Sequence, residues 1–312
     1  AALAEDVAAL ERDLEQKELD LPGLASVREK VVRLNARLAA TVFPGKKFLC
    51  WLGEMWKDFS ASEFPAQETP EIAEIAVAMG CDEYESAGFM LFNPNPAPLS
   101  VRVSVSDLAG PGAAIPAKDI AVRTAAYADC SDGALRPDAL PLIEDGVLIV
   151  PPGENRLVWL TLRTTGQLGG EYHGTVALAA DGESRSVALA VRVVGVALPR
   201  PLPVSTYNWA YFNFAPFRAD VKAGIRDLAM HYIDTAVLDA ANLPHFAFDA
   251  QGNVASVNYK DFDEALQLYM AAGIRRFFFF NYFGDCGRGV SSPLGAGNVG
   301  PASLTIESPE WR

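Results

Sequence analysis

Between Val204 and Asp285 the sequence reads strand, helix, strand, helix, strand, and few architectures accept that order. An apolar and aromatic run over 204–212 (VSTYNWAYF) precedes a helical pattern over 220–232. The short run 235–239 (TAVLD) follows, then a second helix over 259–272 closed by Gly273, then 274–281 (IRRFFFFN). Strands alternating with helices of this length predict parallel pairing through right-handed crossovers. Such sheets meet their ligands at the carboxyl ends of the strands. Those ends carry Trp209 and Tyr211, then Asp239, then Asn281 and Asp285, with Tyr282 between the last two. The first five are the candidate substrate-binding residues, a set suited to a polar ligand with flat apolar faces.

Upstream the hydrophobic period is different. Leu3, Val7, Leu10 and Leu14 recur at helical spacing, as do Leu24, Val27, Val31, Leu34 and Leu38. Pro22-Gly23 separates the two stripes and Pro44-Gly45 ends them, which predicts a helical hairpin over 1–45. The hairpin is read as a brace packed on the next domain, with a dimerisation handle as the other reading. Over 46–199 the period becomes two: Ile75, Val77 and Met79 alternate, then Val101, Val103 and Val105, then Val187, Leu189, Val191 and Val193. Pro94-Asn95-Pro96, Ser131-Asp132-Gly133, Pro152-Gly153 and Asp181-Gly182 mark turns between short runs, the pattern of an antiparallel β-sandwich.

Leu198-Pro199-Arg200-Pro201-Leu202-Pro203 is a stiff linker. The expected fold is therefore multidomain: helical hairpin, β-sandwich, and over 200–312 the first βαβαβ part of a (β/α)8 TIM-like barrel. A closed barrel takes roughly 250 residues, so the barrel is read as incomplete and the chain as a fragment. The Gly- and Ser-rich stretch after Tyr282 is expected to be a loop at the ligand-binding end, and a small hairpin is expected to turn at 249–253.

Net charge narrows the partners. Twenty-six Lys and Arg against 39 Asp and Glu leave −13, which disfavours nucleic acid and anionic membrane surfaces. No apolar run approaches the roughly 18 residues of a membrane span. The chain opens on Ala1 rather than Met, read as a removed leader or trimmed end, and a secreted or periplasmic location is expected. Cys50, Cys81, Cys130 and Cys286 lack metal-site spacing and are read as free buried thiols in preference to a bridge. No metal and no cofactor is expected, and oligomeric state is left open.

Several motifs now align in order. Gly80-Cys81-Asp82-Glu83-Tyr84-Glu85-Ser86 resembles the "NEYES" stretch near the start of the sandwich in glycoside hydrolase family 123. Asp107-Leu108, Pro152-Gly153, the strand holding Trp159, Gly170-Glu171-Tyr172-His173-Gly174-Thr175-Val176 and Leu198-Pro199 follow in that family's order. The resemblance covers 70–285 and implies a glycosidase acting on N-acetylgalactosaminides. It also implies an adjacent Asp-Glu pair that orients the substrate's own acetamido group, a departure from the usual two-carboxylate scheme. The adjacent acidic pairs here are Glu5-Asp6, Asp82-Glu83, Glu144-Asp145 and Asp263-Glu264, and none stands at the end of an expected parallel strand. No catalytic residue is assigned, and the pair is expected beyond residue 312.

Trp209 and Tyr211 share one side by alternation and could stack on a pyranose, or fill a core instead. Asp239, Asn281 and Asp285 could bind sugar hydroxyls or cap their own loops. Of the three histidines, only His245 is placed to reach the site. The expected function is a carbohydrate-active enzyme, a glycoside hydrolase of N-acetylhexosaminides, with a glycan or oligosaccharide as partner. The alternative is a non-catalytic carbohydrate-binding or scaffold protein of the same architecture.

Overall fold

The computed structural model describes residues 2–15, 21–57, 59–63, 65–131, 135–199, 202–209, 217–238 and 244–279. It divides into two units, Ala1–Leu198 and Pro199–Arg312.

Unit 1 opens with the helices α1 (Ala2–Glu15) and α2 (Leu21–Val42). Pro22 and Gly23 lie inside the first turn of α2 instead of separating two helices. Proline is tolerated there because that N–H has no intrahelical acceptor in any case. Eleven strands follow: β1 (Leu49–Trp51), β2 (Glu74–Cys81), β3 (Tyr84–Phe92), β4 (Leu99–Val105), β5 (Ile120–Arg123), β6 (Tyr127–Asp129), β7 (Leu135–Pro137), β8 (Val147–Val150), β9 (Asn155–Arg163), β10 (Gly170–Ala180) and β11 (Glu183–Ala197). One sheet runs β1-β3-β9-β5, a second runs β2-β11-β10-β4-β8, and β6 and β7 form a separate hairpin.

Period-two alternation puts Phe89, Leu91, Leu160 and Leu162 of the first sheet against Val101, Val176, Leu178 and Val191 of the second, all fully buried. Each such side chain stabilises the fold by about 1.5–3 kcal/mol relative to exposure. One pairing departs from the antiparallel expectation: β2 runs parallel to β11, with Ile75 opposite Leu189 and Val77 opposite Val191. Alternation reads the same in either direction, so only the long connection returning the chain to that edge decides it.

The outer face of the first sheet is half covered. Ala39 of α2 and Phe43 just past its end pack there with Trp51, Met90, Phe92, Leu157 and Trp159, so the hairpin braces the sandwich. Bare Gly153, at φ +66°, lets the helix this close, since a Cβ would sit 2.4 Å from the Ala36 nitrogen. Asn35 Nδ2 locks the contact by donating to the carbonyls of Ser62 (2.7 Å) and Gly153 (2.6 Å). The thiols of Cys50, Cys81 and Cys130 are free, but only Cys50 is fully buried; Cys286 lies outside the described residues.

Unit 2 corrects the expected barrel. Among the described residues the chain is mainly β-strands in five sheets, with four α-helices, and no (β/α)8 barrel portion is seen. The strands β12 (Tyr207–Asn208), β13 (Thr235–Leu238) and β16 (Arg276–Phe279) make an open three-stranded sheet in the order β12-β13-β16. Both pairings are parallel, as the alternation predicts. Between β13 and the next helix sits an antiparallel hairpin of β14 (His245–Phe248) and β15 (Val254–Asn258), turning at 249–253. A barrel needs staggered strands pairing on both sides around a closed ring. Here the outer strands are two and four residues long and stand at sheet edges.

Two helices cover one face of this sheet. Asp220 caps α3 (Val221–Met230) by accepting from the Ala223 N–H at 2.9 Å. The other helix, α4 (Lys260–Ala271), ends at Gly273, whose φ of +91° suits a residue without Cβ. Ile225, Ala265, Tyr269 and Ile274 pack against Ala236 and Leu238 in a small core.

Candidate functional site

Residues two apart in a strand share a face, and in-register partners in a parallel sheet share it too. Ala236, Leu238 and Phe277 turn toward the helices. Tyr207, Trp209, Val237 and Phe278 must therefore lie on the opposite face. There the Tyr207 and Phe278 rings stack across the central strand, 6.3 Å between centroids and 22° from parallel. Trp209 inclines toward the same Phe278 ring at 6.4 Å and 59°. Beneath them Val237 is buried, yet Tyr207, Trp209 and Phe278 remain 60%, 45% and 48% exposed. The result is an apolar floor rimmed by three aromatic rings.

The opposite, amino-terminal edge of the sheet is tied by charge. Asp234 accepts from the Thr206 N–H (3.0 Å), the Thr235 hydroxyl (2.8 Å) and Arg276 Nη1 (2.6 Å). Arg276 also donates to the Ser205 hydroxyl. These bonds join all three strands at their starts. A cleft of about 560 Å³ between α3 and α4, lined by Lys222, Arg226, Glu264 and Gln267, lies among the helices and shares no residue with the aromatic face.

Of the sequence-predicted site residues, Trp209 stands on the aromatic face. Tyr211, Asp239, Asn281 and Asp285 lie outside the described residues. Tyr207 and Phe278 were not singled out by sequence reasoning, although stepping back two residues from Trp209 would have found Tyr207. Phe278 sits in a four-phenylalanine run whose two faces cannot be told apart without the register of β13.

The adjacent acidic pairs lie elsewhere. Glu5-Asp6 is in α1 and Asp263-Glu264 in α4. Glu144-Asp145 forms a short 3₁₀ turn before β8. Asp82-Glu83 makes the β2–β3 turn, with Asp82 at φ +58° and the Glu83 carboxylate accepting from the Gly80 N–H. Among the described residues no group of three or more His, Cys, Asp or Glu side chains is arranged to hold a metal ion. No described helix is long and apolar enough to cross a membrane.

No family model matches the sequence, and no curated protein is similar to it. Solved structures do resemble it. A family 123 glycoside hydrolase from Clostridium perfringens, described in connection with glycolipid glycan hydrolysis, superposes with a TM-score of 0.64 at 13% identity. The match covers 85% of this chain and 53% of that one, so the chain spans about half the length of the hydrolase. At this identity the likeness is one of fold, and it does not establish membership of the family. A PapD-like domain of human CEP192 (TM-score 0.27, 11% identity, covering 45% of this chain and 99% of that one) matches too weakly to carry an argument. The same holds for the CooA pilin subunit of enterotoxigenic Escherichia coli (0.28, 12%, 49% and 100%).

Proposed function

We propose that the chain belongs to a carbohydrate-active protein and that the aromatic face of unit 2 binds a sugar ring. The observation that carries this reading is the uncovered set Tyr207, Trp209 and Phe278 in a chain whose fold resembles a glycoside hydrolase. A pyranose presents axial C–H bonds on one face and hydroxyls around its rim. Flat aromatic side chains match the first, and polar loop groups at the strand ends match the second. Asp239, Asn281 and Asp285 are the proposed hydroxyl partners, and Tyr211 the proposed second stacking ring. The finer part of the proposal is hydrolysis of N-acetylhexosaminides, for which no described residue is assigned as the acid or base.

Binding is tested first, by calorimetric titration of this chain with a β-N-acetylgalactosaminyl-terminated tetrasaccharide. Saturable binding that weakens about tenfold in Trp209→Ala supports the reading, the scale of one lost aromatic contact. Binding indifferent to both Trp209→Ala and Tyr207→Ala overturns it. Release of nitrophenol from aryl N-acetyl-β-hexosaminides separates a hydrolase from a non-catalytic binder: turnover favours the first, retained binding without turnover the second.

A further inference from the structure

The polar half of the sandwich's outer face holds a second aromatic feature, on unit 1 alone. Trp56 is 76% exposed, the most solvent-bared of the described tryptophans. One side of it nevertheless rests on the sheet. Its ring meets buried Trp159 edge to face, 4.9 Å between centroids and 79° apart. Its turn is closed by the Met55 N–H to the Gly53 carbonyl (3.1 Å) and the Lys57 N–H to the Glu54 carbonyl (3.0 Å). Two glycines admit that turn to the sheet. A Cβ on Gly53 would meet Met90 at 2.5 Å, and one on Gly88 would meet the Val158 carbonyl at 2.6 Å and Met55 at 3.3 Å.

What surrounds the ring is polar in a particular way. Trp159 Nε1 donates to the Thr161 hydroxyl at 3.2 Å. Ser86 stands opposite Thr161 on β3, and Tyr84 stands opposite Arg163 one step further along the same face. The Arg163 guanidinium lies 5.3 Å from the centre of the Tyr84 ring, and among the described residues its Nε has no hydrogen-bond partner. Helix α2 covers the other half of this face, packing on Met90, Phe92, Leu157 and Trp159.

An exposed indole packed edge to face on Trp159, with the Thr161 and Ser86 hydroxyls one same-face step along the sheet, suits a ligand that is apolar on one side and hydroxylated at its edge. A protein partner needs about 800 Å² per side, far more than one indole and its rim offer. A polyanion is disfavoured by the net charge of −13, and Lys57, next to Trp56 in the chain, is paired with Glu54. We infer that Trp56, Thr161 and Ser86 form a second glycan-binding platform, which holds one neutral sugar unit by stacking on Trp56. The choice of a glycan as ligand rests on the proposed function, whereas the location does not.

The test uses the whole chain and the indole N–H signals of its five tryptophans, assigned by single Trp→Phe substitutions. The same β-N-acetylgalactosaminyl-terminated tetrasaccharide is titrated in. The Trp56 signal is expected to shift saturably and to do so equally in the Trp209→Ala chain. With Trp159 as reporter, Trp56→Ala should weaken this site about tenfold and Trp56→Tyr should largely keep it. Thermal melting should be unchanged in both, because the ring is mostly in solvent. Trp56 and Trp159 signals that stay fixed while Trp209 moves would overturn the platform and leave the unit 2 site standing. Movement of Trp56 with Trp209 fixed would support the platform and remove the unit 2 site. No movement at all overturns both.

Discussion

The two uncovered aromatic surfaces of this protein differ in what lies behind them. In unit 1 the sheet bearing Trp159 is packed on its inner side against a second sheet and on half its outer side against α2. In unit 2 the sheet bearing Trp209 has helices behind it and open aromatic rings in front. The first sheet draws its stability from its buried inner face, which the exposed Trp56 ring does not touch. The second keeps Tyr207, Trp209 and Phe278 about half exposed.

The comparison is sharpened most by deleting a ring from each side. Phe89→Ala empties a fully buried site between the sandwich sheets and should lower unfolding free energy by about 3–5 kcal/mol in urea titrations. A loss under about 1 kcal/mol would mean that the two sheets pack far more loosely than their burial implies.

Alkaline pH gives an intermediate effect confined to unit 1. Burial pushes the Cys50 thiol up from 9.0 to about 12, partly opposed by the nearby Arg185. The folded chain thus prefers the neutral thiol, and the unfolded chain releases its proton first. Stability contributed by Cys50 is complete below pH 9 and is lost between pH 9 and about 12. At pH 10.5 the Cys50 loss should be on the order of 2 kcal/mol, and the decline should shrink by that amount in Cys50→Ala, as read by urea midpoints at pH 8 and 10.5. Tyr127, also raised chiefly by burial, adds to the decline from its ordinary value of 10.0 upward.

Tyr207→Ala should give the smallest stability change, within about 1 kcal/mol, because that ring is 60% exposed. A larger loss would show that the open face of unit 2 supports the fold, which would erase the contrast with the sandwich core.

Much of unit 1 was legible because its strands bury one face in two, and period-two alternation is written in single residues such as Val101, Val103 and Val105. The parallel approach of β2 to β11 was not, since Ile75, Val77 and Met79 alternate identically whichever way the neighbour runs. Helix α2 began earlier than its Pro-Gly pair suggested because a first turn accommodates proline. In unit 2 the strand–helix alternation correctly announced parallel pairing, but it carried the expectation on to a barrel that the short open sheet does not form. At the site Trp209 was found by its place at a strand end. Tyr207 and Phe278 were overlooked because ring-to-ring proximity across β13 is a matter of register, not of spacing along the chain.

The sequence by itself determined which residues form strands and helices, where the proline-rich boundary falls and that the molecule carries excess negative charge. All of these are local or additive properties. Only the tertiary structure decided which edges pair, which sheet faces are covered and which aromatic rings are left in water. Those outcomes depend on contacts between residues far apart in the chain, where the same pattern of apolar side chains is compatible with several partners.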